Sequence, residues 1–157
     1  MKVELWAMGK SKASWVKDAS TQYHRRLQQF TAFGYEELHG IKVPKRATAK
    51  TIQNAEADYT LRRLSSSDKL FLLDERGKSM DSRKFASWLE QLQHQGGNRL
   101  IFLIGGAYGF DQRLYERATG MVRLSAMTIS HQLVRVLALE QLYRAYSILN
   151  NHPYHND

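Results

Sequence analysis

A glycine turn, IGGAYG at Ile104–Gly109, directly follows the most strand-like run of the chain, LIFLI at Leu100–Ile104. In open parallel sheets, ligands bind in the crevice outside the carboxyl ends of the strands. Glycines allow a ligand to come close to the peptide groups of such a turn. A tight strand-to-helix connection would use the same glycines, so the turn by itself predicts either a binding site or a plain connection.

A second candidate site lies in the last third of the chain, at LSAMTISH, Leu124–His131. A short strand predicted at Met121–Leu124 enters a loop of small residues, which leads into a long helix predicted at His131–Asn150. Ser130 is a suitable N-cap for this helix, and Arg135, one turn later, is expected to project towards the loop. The helix is apolar around most of its circumference, which indicates burial in the core and against another protein surface.

Several common chemistries have no support in the sequence. The absence of cysteine excludes thiolate zinc sites, iron–sulfur clusters and a cysteine nucleophile. His152, His155 and Asp157 have a spacing that could hold a metal, but Pro153 prevents the helix that would align them, so we predict no metal site. No apolar run is long enough to span a membrane and no signal peptide is recognisable, which predicts a soluble, cytoplasmic protein.

The charge of the chain is strongly basic, with a net charge of +8. The excess is uneven, because residues 1–50 contain ten Lys and Arg against four Asp and Glu, a balance of +6. A basic excess gathered in one part of a chain indicates a polyanionic partner, of which nucleic acid is the commonest. On charge alone, a basic protein without such a partner is equally compatible.

Strand-like and helical runs alternate along the whole chain. Its length is that of one ordinary domain, so we expect a single domain over residues 1–157. The strand-like runs are too apolar for a sheet with one solvated face, so the predicted fold class is α/β, with a parallel sheet covered by helices on both faces. The predicted strands are Val3–Met8, Tyr35–Val43, Leu70–Leu73, Leu100–Ile104 and Met121–Leu124, and the predicted helices are Ser14–Phe30, Thr51–Leu64, Ser82–Gln95, Asp111–Thr119 and His131–Asn150.

Four blocks of the sequence together resemble a bacterial protein family. They are LLDERGK at 72–78, IGGAYG at 104–109, LSAMTISHQLVRVLALEQLYRAYSI at 124–148 and NHPYH at 151–155. Over essentially its full length, the chain is similar to the ribosomal large-subunit pseudouridine N3-methyltransferases of the SPOUT class. One departure is Ser130, which stands where the family usually has a proline. Because serine can cap a helix, this departure concerns the rigidity of the loop rather than activity.

The resemblance implies a SPOUT-type α/β fold with a C-terminal trefoil knot, acting as a homodimer. It implies that S-adenosylmethionine is the cofactor and that the acceptor is N3 of a pseudouridine in the intersubunit helix of 23S rRNA, within the assembled 70S ribosome. A sulfonium donor carries its own leaving group, so the protein needs only to align donor and acceptor. The residues implied to wrap the cofactor are Leu73, Gly105, Leu124, Ser125, Ala126, Met127, Thr128 and Ile129.

The proton on N3 of a uracil-type base must leave, which calls for a base or for a cation that stabilises the ring anion. The candidates are His131, Arg135, Tyr154 and His155, of which the two tail residues could come from the other subunit. Arg135 and the tail are interpreted as RNA-binding more than strictly catalytic, and His131 could instead be a second capping group. Tyr108 and Tyr154 are candidates for aromatic support of the target base.

The cations of the basic region are predicted to contact phosphates, which positions RNA without reading its sequence. Two alternatives are a tRNA methyltransferase of the same class and a basic RNA-binding factor that has lost the cofactor. The ending NHPYH argues against the first, and the intact loop Leu124–Ile129 argues against the second. We expect Gly105→Val to fill the space that the cofactor needs, and Arg135→Ala to lower methylation with little change in cofactor affinity. The predicted phosphate contacts are Lys10, Lys12, Lys17, Arg25, Arg26, Lys42, Lys45 and Arg46.

Overall fold

Strands and helices alternate along the whole chain, as predicted. A computed structural model describes all of residues 1–157. The strands are β1 (Lys2–Met8), β2 (Phe33–Leu38), β3 (Lys69–Ser79), β4 (Arg99–Ile104) and β5 (Gly120–Arg123), and the helices are α1 (Ser14–Leu27), α2 (Ala49–Arg62), α3 (Ser82–His94), α4 (Gln112–Arg117) and α5 (Leu133–Leu149).

The five strands form one sheet in the order β2-β1-β4-β3-β5, and every neighbouring pair is parallel. The alternation of side chains along β4 shows why its sequence is apolar throughout. Leu100, Phe102 and Ile104 enter one core cluster, whereas Ile101 and Leu103 enter the other. Because both faces are buried, the strand has no polar face, which confirms the predicted parallel sheet.

Helices cover both faces of the sheet. The larger core cluster lies beneath α1, α3 and α5, and the smaller one, around the fully buried Trp6, lies beneath α2 and α4. Helix α5 contacts both α1 and α3, so it sits in the middle of its layer. This arrangement brings the start of α5 to the same edge of the sheet as the carboxyl ends of the strands.

Strand β3 is longer than predicted. It was expected to end at Leu73, but it continues to Ser79 and pairs a second time with β5, where Lys78 lies opposite Val122. An irregularity separates the two paired parts. The hydrophobic pattern does not predict this extension, because the run DERGK is polar and its side chains are not enclosed by the core.

Strand β2 is shorter than predicted and starts earlier, at Phe33 rather than Tyr35. It ends at Leu38, and Gly40 follows with φ of +73°. That left-handed conformation suits glycine and breaks the extended chain, so the apolar residues up to Val43 lie in a loop. The hydrophobic alternation alone cannot reveal a backbone turn of this kind.

The helix ends differ from the prediction by at most three residues, and the starts of α1 and α3 agree with it; fraying ends and capping turns explain such differences. At the start of α5, Oγ of Ser130 accepts a hydrogen bond from the N–H of Leu133 (3.2 Å) and its carbonyl accepts one from Val134 (2.9 Å). Ser130 thus bonds the first turn, but the N-cap position is Gln132, so the prediction of Ser130 as the N-cap is two residues too early. None of the five helices has the length and apolar character needed to cross a membrane.

Candidate functional site

A cavity of about 660 Å³ opens at the carboxyl ends of β3, β4 and β5. This volume lies within the usual range for sites of small molecules and cofactors. Three separate segments of the chain meet there, because the strands that carry them are neighbours in the sheet. The lining includes all eight residues predicted to wrap a cofactor, namely Leu73, Gly105, Leu124, Ser125, Ala126, Met127, Thr128 and Ile129.

Close packing explains the two adjacent glycines of the turn. A Cβ on Gly105 would lie 3.0 Å from the ring of Phe110, and one on Gly106 would lie 2.8 Å from the carboxylate of Glu56. The expectation that a side chain at 105 would simply fill the ligand's space is therefore corrected. It would first meet the Phe110 ring, which itself lines the cavity.

One wall of the cavity is charged. Asp74 accepts hydrogen bonds from the hydroxyl of Tyr115 (2.6 Å) and from the N–H (2.8 Å) and Nε (3.3 Å) of Arg76. Burial opposes ionisation of this carboxyl, but the donors outweigh it and lower the pKa of Asp74. Burial, followed by the neighbouring Asp74, raises the pKa of the Tyr115 phenol, which therefore stays a hydrogen-bond donor.

Of the four predicted catalytic residues, only His131 lines the cavity of its own chain. It is exposed, and it lies between the small-residue loop and α5. Its backbone carbonyl accepts a hydrogen bond from Nε of Arg135 (3.1 Å). The imidazole can therefore reach a molecule in the cavity while its backbone is held in place.

Arg135 does reach the end of the loop, at the carbonyl of His131, but the expectation that it binds RNA is wrong because its guanidinium is enclosed by the protein. The residue is only 2% exposed. Its Nη1 donates to the carbonyl of Gly9 (2.8 Å) and to Glu37 (2.9 Å), and its Nη2 donates to the carbonyl of Met8 (2.9 Å). A guanidinium enclosed in this way cannot touch RNA directly, and it instead ties α5 to the β1–α1 loop.

Gln132 adds a second tie between the same two segments. Its side-chain oxygen accepts from the N–H of Lys12 (2.8 Å), and its amide nitrogen donates to the carbonyl of Lys10 (3.4 Å). The β1–α1 loop and the residues just after the cavity loop are thus joined by both Arg135 and Gln132. We name this set of contacts the α5 clamp.

Glu37 at the end of β2 is the anion of the α5 clamp. It accepts hydrogen bonds from the N–H and hydroxyl of Ser11, from the Tyr35 hydroxyl (2.9 Å) and from Arg135. Burial raises the pKa of Glu37, but these donors outweigh burial, so its pKa lies below the ordinary value. Glu37 therefore stabilises the fold in its ionised form.

The lowered pKa of Glu37 predicts an acid-sensitive contribution to stability. It is fully present above the ordinary pKa of glutamate, about 4.3, and is lost as the pH falls through the lower pKa of the folded state. We expect Glu37→Gln to lower the melting temperature at pH 7 but to flatten its decline between neutral and acid pH. Thermal denaturation at several pH values measures this, with Glu90→Gln at an exposed position of α3 as control. Parallel pH profiles for Glu37→Gln and wild type would contradict the assignment.

The tail folds back because Asn151, with φ of +54°, ends α5 in a left-handed conformation. The hydroxyl of Tyr154 lies 3.2 Å from the hydroxyl of Tyr23 and 3.2 Å from Glu140. Burial, together with those two neighbours, raises the pKa of Tyr154. Tyr154 therefore stays protonated where it lies, and it does not line the cavity of its own chain.

His155 is held in the same tail cluster. Its Nδ1 lies 3.1 Å from Nη1 of Arg144, and its Nε2 lies 2.9 Å from a carboxylate oxygen of Asp157. The hydrogen bonds from Arg83, followed by that from His155, lower the pKa of Asp157 to about 2. Like Tyr154, His155 is absent from the lining of its own chain's cavity.

The predicted phosphate contacts are all exposed, and so is Tyr108 at the glycine turn.

Sequence reasoning missed the charged wall of the cavity. Asp74 and Arg76 lie inside the LLDERGK block, and Arg123 immediately precedes the loop at Leu124. Their positions at strand ends were the available signal, but Tyr115 comes from α4, and only the fold brings it beside them.

Comparison with known proteins adds to this geometry. A model of the family described as predicted SPOUT methyltransferases matches residues 1–155. The chain is 40% identical to the ribosomal RNA large subunit methyltransferase H of Cytophaga hutchinsonii, over 99% of this chain and 100% of the relative. It is 39% identical to the protein of the same name from Parabacteroides distasonis, over the full length of both.

Among solved structures, the chain resembles a probable methylase family protein from Haemophilus influenzae Rd KW20. The superposition has a TM-score of 0.52 with 12% identity and covers 99% of this chain and 70% of the other. At that identity, the likeness concerns the fold alone.

Proposed function

Because this chain belongs to the SPOUT methyltransferase family, we propose that it transfers a methyl group from S-adenosylmethionine to N3 of a pseudouridine in 23S rRNA of the assembled 70S ribosome. On this proposal it acts in the cytoplasm, as a single domain with its C-terminal third threaded as a trefoil knot. The observation that carries the proposal is the convergence of Leu73, Gly105 and Leu124–Ile129 on one cavity.

The cavity suits S-adenosylmethionine in both size and lining. Half of its twenty lining residues are hydrophobic, which suits the adenine ring, and the glycine turn lines the same cavity. When bound, the sulfonium supplies an activated methyl group together with its leaving group. The task of this chain is then to hold donor and acceptor in line, which is catalysis by positioning.

His131 is the residue of this chain best placed to handle the N3 proton. Its imidazole is exposed at the cavity, where a nitrogen can accept the proton or hold it by a hydrogen bond. The α5 clamp keeps its backbone fixed through Arg135. Arg135 is thus a positioning residue in this proposal rather than a catalytic one.

We propose that the protein acts as a homodimer whose site is completed by the partner's tail. Tyr154 and His155 lie outside the cavity of their own chain, although both have the chemistry to support a target base. The largest exposed apolar residues include Trp15 (54%) and Leu133 (46%), which lie in the first turns of α1 and α5. On this proposal a second copy covers these two side chains and contributes its tail residues to the site.

Subunit mixing tests the shared site. His131→Ala and Tyr154→Phe dimers are each expected to have low activity. If the tail acts across the interface, a mixed dimer of the two variants has one intact site, so an equal mixture recovers about a quarter of wild-type activity for random pairing of a twofold dimer. No recovery in dimers confirmed to be mixed by mass spectrometry would show that each tail serves its own chain.

The substrate assignment is tested in cells. Mass spectrometry of rRNA is expected to detect N3-methylpseudouridine in 23S rRNA of the wild-type bacterium and to lose it when this gene is deleted. Persistence of the methyl group in the deletion strain would reject the assignment, and loss of a methyl group from tRNA would favour the tRNA alternative. Calorimetry with the purified protein and S-adenosylmethionine tests the cofactor separately, and absence of binding would favour a non-enzymatic RNA-binding factor.

Gly105→Val is expected to weaken S-adenosylmethionine binding by displacing the Phe110 ring into the cavity. We expect a loss of at least roughly tenfold in affinity, because small misplacements at a site are costly. A second change, Phe110→Leu, should restore part of the affinity, since it frees the space that the valine needs. Calorimetry measures both effects, and failure of the double variant to recover any affinity would contradict displacement of Phe110 as the cause.

A further inference from the structure

Arg123 is the last residue of β5 and lines the charged wall of the cavity. Its Nε is shielded from solvent and has no hydrogen-bond partner in the chain. Buried donors in folded proteins nearly always have a partner, so an unpaired one at the wall of a cavity points to a ligand. None of the contacts described for the glycine turn or for His131 uses this group.

Arg76 is the second cation of the same wall. Its guanidinium lies over the ring of Tyr115, with its central carbon 4.3 Å from the ring centroid, and its Nε reaches Asp74. The guanidinium carries further N–H donors, and 61% of the side chain is exposed. Stacking on Tyr115 and the bond to Asp74 therefore hold the guanidinium at the cavity with donors to spare.

One of the two carboxylates of this wall is already engaged. Asp74 accepts from Tyr115 and Arg76, and its side chain is only 10% exposed. Glu75, the other carboxylate of the wall, is exposed. Beside that exposed carboxylate, the wall presents the guanidinium groups of Arg76 and Arg123, which suit a planar or tetrahedral oxyanion.

We propose, on the basis of the function proposed above, that Arg123 and Arg76 form an oxyanion subsite of the cavity. The oxyanion is either the carboxylate of the amino-acid tail of S-adenosylmethionine or a phosphate of the bound RNA. Either source gives Arg123 Nε the acceptor that the chain itself does not supply. The subsite fixes one end of the reacting complex, so that the methyl group and the acceptor nitrogen are aligned.

The first experiment measures binding of S-adenosylmethionine and of its decarboxylated analogue to the wild-type protein, to Arg123→Gln and to Arg76→Gln. If the cofactor carboxylate is the oxyanion, each variant loses about tenfold in affinity for S-adenosylmethionine, as for a lost charged hydrogen bond. The analogue, which has no carboxylate, binds all three proteins equally. Lys84→Gln, at an exposed residue of α3 outside the cavity, is the matched control.

The second experiment measures binding of an RNA hairpin at several salt concentrations. If a phosphate is the oxyanion, S-adenosylmethionine affinity stays at the wild-type value, whereas RNA binding weakens and the slope of log K against log salt falls by about one. Unchanged binding of both ligands in both correctly folded variants would overturn the subsite. Failure of the wild-type protein to bind S-adenosylmethionine would instead reject the proposed function, so the two failures are distinguishable.

The Arg123→Lys variant distinguishes a loss of binding from a loss of folding. It retains the charge but not the Nε–H, and circular dichroism with thermal denaturation verifies the fold of each variant. A lysine is expected to recover part of the binding lost in Arg123→Gln, because a point charge still attracts an oxyanion. A stably folded Arg123→Lys variant that binds no better than Arg123→Gln would contradict an electrostatic role for this residue.

Discussion

Replacing Arg135 with methionine is expected to lower the free energy of unfolding by about 3 kcal/mol, since it removes a buried guanidinium and leaves the partly buried carboxylate of Glu37 without its cation. Methionine keeps much of the apolar stem, so the loss reports the guanidinium contacts. The carbonyls of Met8 and Gly9 lose their donor, and Glu37 loses its cation. Urea denaturation measures the free energy, and the melting temperature is expected to fall by about 10 °C for a chain of this size.

The matched control is Arg25→Met, which changes an exposed arginine of α1. It is expected to alter stability by less than about 0.5 kcal/mol, as is usual at the surface. A similarly small effect for Arg135→Met would contradict the structural role that we assign to the α5 clamp. From the sequence we expected Arg135→Ala to lower methylation with little change in cofactor affinity. Because Arg135 is buried, we now expect its replacement to lower the stability of the protein and to loosen the backbone of His131.

Gly77→Ala is expected to cause the second large effect, a loss of about 3 kcal/mol in stability, at the upper end for overpacking. A Cβ at this position would lie 2.5–2.7 Å from backbone atoms of Val122 and Met121. Because the obstacle is backbone rather than a flexible side chain, the second pairing of β3 with β5 must shift. Arg76 and Arg123 lie on either side of this contact, so we also expect S-adenosylmethionine affinity to fall roughly tenfold.

Gly34→Ala is the control for Gly77→Ala, because Gly34 is also a strand glycine. Its Cβ would meet only the flexible side chains of Glu4 and Lys2, at 3.4–3.5 Å. We expect little change in stability or cofactor affinity there. Equal effects at the two positions would indicate a general intolerance of strands to the change and would contradict the close contact between β3 and β5. Denaturant titration and calorimetry provide both measurements.

Much of the fold could be predicted because apolar periodicity is a local property. β1 and β4 were predicted to within a residue or two, since a strand buried on both faces must be apolar throughout. The second part of β3 was missed because DERGK is polar, and its pairing with β5 depends on an edge position that no local pattern records. The turn at Gly40 was not predicted for a similar reason, since its left-handed conformation is a property of the backbone.

The sequence by itself determined the α/β class, the family and the three segments that meet at the cavity. These follow from local hydrophobic pattern and from long, specific blocks of residues. Only the tertiary structure decided that Arg135 is enclosed by the β1–α1 loop, that Tyr154 and His155 lie away from their own cavity, and that Arg76, Tyr115 and Arg123 form one wall. The physical reason is that burial and pairing of a charged side chain depend on what distant segments bring beside it, and spacing along the chain does not contain that information.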